Sequence, residues 1–359
     1  KKVTSDLAAV LSRAQPSISV QSELTGIAIN NIKKNLESAP DNIPARYVYA
    51  HSLMRYGQLE GHPLYLSKEN PNPARQYLST ANESLGKIYT IMQDNDIPEV
   101  LGESEDDRID LEMVAVDQLT VDRLSAEIQV YYNAENESKE PGLMQLRDIE
   151  KRLLALNYTP VSRMRKLSYA QDLAYLSHAR LLVGDYVASD QLLKKARAVL
   201  KTVSAKLLLG SKAGLSPEEF KRREELDRPE LEVLKGIRFL DSFILEQKAY
   251  QAFLQKDVKT ATSYYKEIKA GRRKVDVDVQ LTLLINRVSM MQACIAIGHK
   301  QWADAAVLRK DIIRTLNDLL EDHPGAKRLV MLNQRIEDKR LTIEQQFHAL
   351  PSYHLAMLA

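Results

Sequence analysis

The stretch Ala179 to Ala196, ARLLVGDYVASDQLLKKA, restricts this chain more than any other. An apolar helical run stops at Gly184, a residue that accepts the left-handed backbone of a tight turn. A second, amphipathic run opens near Tyr186. Together they read as the middle of a helical hairpin. Two later stretches repeat the layout, and an earlier one repeats it with an insertion, so the chain is expected to consist of paired antiparallel helices.

The repetition is one of side-chain size at fixed offsets. Around Tyr186 the positions are Ser177, Ser189, Leu193 and Ala196. Around Val258 they are Ala249, Ala261, Tyr265 and Ile268, and around Trp302 they are Ala293, Ala305, Arg309 and Ile312. Two helices that cross closely need a small residue where each backbone meets the other, and a bulky one fills the space toward the next pair. Tyr186 is expected in the core.

These residues resemble the tetratricopeptide repeat family, whose pattern runs small, Gly-x-aromatic, small, aromatic, Ala. Gly184-Asp185-Tyr186 with Ser189, Leu193 and Ala196 follows it, as do Lys256-Asp257-Val258 with Ala261 and Tyr265, and in part Lys300-Gln301-Trp302 with Ala305. Ala50, Leu59, Ala74, Leu78 and Ala81 fit when residues 60–73 form an insertion. The anchors Tyr186, Val258 and Trp302 stand further apart than the ~34 residues of the family period. The resemblance implies an all-α fold: a tetratricopeptide-like α-solenoid of antiparallel hairpins with irregular inserts. A pair of four-helix bundles is the alternative. Residues 1–157 are expected as an N-terminal helical region with insertions and 158–359 as a C-terminal repeat region, the two forming either separate domains or one row.

Along the chain, short helices are expected over 4–14 and 20–36, then over Ala45–Leu59, closed by Gly57, and from Asn72-Pro73 onward. The acidic run with Glu103, Glu105, Asp106 and Asp107 reads as a linker or helix start, or as a patch for a basic partner. Helices follow over Leu111–Tyr132, Leu143–Leu156, Ser168–Val183 and Val187–Leu208. Ser216-Pro217-Glu218-Glu219 matches a capping box opening a helix that ends at Pro229. A second helix then runs from Glu230 to Gln255, and His323-Pro324-Gly325 stops the hairpins before a last helix, Ala326 to Phe347.

Composition excludes several classes. Gly and Pro number only 13 each in 359 residues, which leaves long uninterrupted periodic segments. A net charge of +2 gives no bulk electrostatic reason to bind nucleic acid. The single cysteine, Cys294, rules out an internal disulfide or a multi-cysteine zinc site and is read as a small buried apolar residue. No apolar run approaches the ~20 residues of a membrane span. The chain opens Lys1-Lys2-Val3 without an initiator methionine, consistent with a removed upstream signal or anchor or with a truncated chain. A cytoplasmic location is expected, with the periplasm as the alternative if such a signal was removed.

Chemistry leaves little trace. None of the seven histidines pairs with another at helical spacing, and neither a phosphate-binding glycine loop nor a Gly-x-Ser-x-Gly elbow occurs. No cofactor, metal or catalytic residue is expected. The reading is a non-catalytic protein–protein interaction scaffold or adaptor of a larger assembly, which holds a protein or peptide partner in a helical-repeat groove. A structural subunit without a free groove and a helical-domain enzyme are the alternatives. Amphipathic and basic side chains gather at Tyr47, Tyr56, Arg163, Arg165 and Tyr169, the candidate partner-binding residues.

Overall fold

A computed structural model describes residues 18–62, 67–101, 108–132, 139–204, 217–270 and 279–322. Among them are eleven helices and one two-stranded ladder. In order these are α1 (Ile18–Ser38), α2 (Ile43–Gly61), α3 (Pro71–Asp94), β1 (Glu99–Val100), β2 (Ile109–Asp110), α4 (Leu111–Tyr132) and α5 (Glu140–Ala155). There follow α6 (Arg163–Leu182), α7 (Tyr186–Leu200), α8 (Pro217–Leu254), α9 (Val258–Ala270), α10 (Val279–Gly298) and α11 (Trp302–Asp322). The described chain is therefore all-α apart from β1 and β2, which pair antiparallel where a bare linker was expected. The helix over 4–14, the acids 103–107, Ser216 of the capping box, the 323–325 stop and the 326–347 helix lie outside the described residues.

The chain divides into two compact units, residues 1–158 with 289–359, and residues 159–288. In the first unit α2 packs on α1 and α3, α3 on α4, and α4 on α5. The stripe Leu78, Ala81, Leu85, Ile88 and Met92 makes α3 the centre of that core, and all five are fully buried. It meets Ala50, Leu53 and Met54 of α2 and Val114, Val121, Leu124 and Ile128 of α4. Each such Leu, Ile or Met stabilises by about 1.5–3 kcal/mol.

Gly57 does not end α2. The helix continues to Gly61, and both glycines mark a close crossing. A Cβ on Gly57 would stand 3.0 Å from Leu78 Cγ, and one on Gly61 2.9 Å from Ala74 Cβ. Breaking a helix and admitting a neighbouring backbone are both glycine roles, and the crossing with α3 selects the second. Asn42 caps α2 by accepting from the Ala45 amide at 3.0 Å.

In the second unit α6 packs on α7 and α8, α7 on α8, and α8 on α9. Pro229 was expected to separate two helices, yet α8 runs through it as one helix of 38 residues. A proline inside a helix costs about 3 kcal/mol. Downstream on α8, Leu240, Phe243, Ile244, Leu245 and Ala249 are buried, and the first four together exceed that cost.

Three helix-to-helix turns share one geometry, which also closes α3, where Asp96 has φ of 50° and the Ile97 amide donates to the Met92 carbonyl. Gly184, Lys256 and Lys300 hold φ of 75°, 64° and 60°. The next amide in each case, of Asp185, Asp257 and Gln301, donates to the carbonyl five residues back, on Arg180, Ala252 and Ala296. This is the helix-ending bond of a left-handed cap. Asp185 and Asp257 then cap the following helix through the amides of Ala188 and Thr260, both at 3.1 Å. The six small positions Ser177, Ser189, Ala249, Ala261, Ala293 and Ala305 are all fully buried. Tyr186 is only half-buried; among the described residues of the second unit the buried aromatic rings are Tyr169, Tyr175, Phe243, Tyr250 and Tyr265.

Candidate functional site

The chemistry-bearing side chains gather on the first helices of the hairpins, α2, α4, α6, α8 and α10. In the first unit, α4 turns the stripe Asp117, Thr120, Arg123 and Glu127 inward, and all four are buried. Asp117 accepts from the Tyr47 hydroxyl and, at 3.0 Å, from His51 Nε2, both on α2. Glu127 accepts from Arg123 at 2.6 Å, one turn away on α4, and from His62 Nε2 at 2.9 Å. His62 caps the C-terminus of α2 and is fully buried. Two histidine–carboxylate pairs thus tie α2 to α4 at separate points along their length.

A third buried carboxylate, Glu60, stands two residues from His62. It accepts from Ser22 of α1 at 3.0 Å, from Lys68 at 2.8 Å and from Asn70 at 3.1 Å. Burial works against its charge, but the bonds from Lys68, Asn70 and Ser22 outweigh burial and hold it below the ordinary carboxylate range. Glu127 behaves alike: burial opposes ionisation, and the Arg123 charge with the His62 hydrogen bond brings its pKa down.

In the second unit Arg163 of α6 donates to Glu230 of α8 at 2.7 Å, and His178 Nδ1 of α6 lies 2.7 Å from Gln247 Oε1 of α8. Glu246 of α8 accepts a two-pronged bond from Arg287 of α10, at 2.8 and 2.7 Å. Successive first helices are therefore joined by buried polar pairs in both units. Each histidine named here is held by an oxygen acceptor on the next first helix. The helices α4 and α6 show little surface, with Glu112 and Met164 as their exposed positions, whereas α2 also exposes Pro44, Val48 and Arg55.

The five candidate partner residues fall into both units. Tyr47 is half-buried, with its hydroxyl committed to Asp117 and its ring 4.4 Å from that of His51. Tyr56, also half-buried, stands edge-on to Tyr77 at 4.4 Å. Arg163 is engaged with Glu230. Arg165 lies in the first turn of α6, where its amide donates to the Ser162 cap, and burial pulls its guanidinium down to about 10. Tyr169 is 2% exposed and offers its ring to the core of the second unit rather than to a partner. Tyr47 and Tyr56 belong to the first unit and Arg163, Arg165 and Tyr169 to the second.

Sequence spacing missed the seam because its members sit far apart along the chain, as His51 and Asp117 or His178 and Gln247 do. A search for histidine pairs within one helix cannot find them. Burial pushes the Cys294 thiol up to about 12, which keeps it protonated at neutral pH. Among the described residues no group of three or more His, Cys, Asp or Glu is placed to hold a metal ion. No described helix is long and apolar enough to cross a membrane. Comparison with family models, curated proteins and solved structures finds no match.

Proposed function

We propose that this chain is a non-catalytic protein–protein interaction scaffold or adaptor of a larger assembly, built as an α-solenoid of tetratricopeptide-like hairpins. The observation that carries the reading is that the turns at Gly184, Lys256 and Lys300 join helices whose small positions at matched offsets, Ser177 and Ser189, Ala249 and Ala261, and Ala293 and Ala305, are all buried. A turn repeated with buried small residues at matched offsets supports a row of copies of one hairpin. Rows of this kind serve as extended surfaces for protein or peptide partners. Because α4 and α6 expose so little, the partner meets the second helices and the turns more readily than a groove lined by first helices. Val187 on α7 and Val307 on α11, 71% and 63% exposed, are apolar points on such outer faces.

The burial of α4 and α6 favours a second reading, a structural subunit of a multiprotein complex or polymer with no free groove. Affinity capture from the native source, run beside a dilution series of the purified chain, separates the two. Scaffolding predicts a monomer at high dilution that retains a stoichiometric protein partner. Self-association without any retained partner supports the structural subunit, and turnover of a small molecule by the purified chain overturns both.

A further inference from the structure

We draw no further inference here: the strongest candidate, the outward apolar stripe of α1 that carries Val20 and Ile27, 42% and 49% exposed, carries nothing because nothing in the structure shows what covers it.

Discussion

Ser189 and Ser177 occupy equivalent small positions but are bonded differently. Ser177 Oγ donates to the Ala174 carbonyl at 2.6 Å, while Ser189 Oγ is buried with no hydrogen-bond partner. A buried hydroxyl without a partner costs roughly 1–3 kcal/mol. Ser189→Ala is therefore expected to raise the urea midpoint, by about 1 kcal/mol in stability. Ser189→Leu should lower stability by roughly 1–3 kcal/mol through overpacking. At Gly61 the space is already closed by Ala74 Cβ and the Asn70 carbonyl, so Gly61→Ala is expected to destabilise by a similar ~1–3 kcal/mol in thermal melts. Tyr186, by contrast, is too exposed for the large penalty of a core aromatic. Phe243→Ala is the substitution expected to cost about 3–5 kcal/mol, because that ring is 1% exposed between Tyr175 and Phe239.

At the scale of elements, two buried carboxylates that titrate hold α2 in place: Glu127 of α4 on His62, and Glu60 on Ser22 of α1, Lys68 and Asn70. Glu60 and Glu127 both hold their protons less tightly in the folded chain than in the unfolded one. The stability they contribute is complete above the unfolded glutamate range of about 4.3 and is lost as pH falls through their lower folded values. Glu127→Gln is expected to cost about 1–3 kcal/mol at neutral pH, since it removes the charge that the buried Arg123 and His62 face at 2.6 and 2.9 Å, and to flatten the acid limb of the unfolding profile. Urea melts from pH 3 to 7 check both effects; an unchanged acid limb would show that Glu127 is not ionised in the folded chain.

Much of the element layout was legible. Periodicity placed Leu111–Tyr132 at its observed bounds and came within a turn at 20–36, Ala45–Leu59 and Leu143–Leu156, because a 3.6-residue stripe such as Leu78, Leu85 and Met92 is a local property, whereas α6 begins at Arg163 rather than Ser168 and α7 ends at Leu200 rather than Leu208. Gly57 and Pro229 misled for the same reason and in the same direction, since the helix runs on through each. Both are breakers by local rule, and at both a neighbouring helix or a long buried face decided the outcome. Of the candidate site, basic and aromatic residue types were visible, but not their partners. Glu230, Asp117 and Tyr77 are distant in sequence from Arg163, Tyr47 and Tyr56, and only the packed hairpins bring them together.

For the molecule as a whole, the account rests on the hairpins being copies of one unit, and the three turns are where copies can be compared. Gly184 supplies its left-handed backbone without strain, whereas Lys256 and Lys300 hold the same conformation against a Cβ penalty of about 1 kcal/mol each. Making the latter two turns match the first should therefore help rather than harm. Equilibrium urea unfolding of the Lys256→Gly, Lys300→Gly double variant, followed by circular dichroism, tests this most directly. We predict unchanged helical signal, roughly 1 kcal/mol or more of added stability, and near-additivity of the two single changes. Loss of stability at either position would mean that its backbone is not left-handed there, and the likeness among the three turns would fail with it.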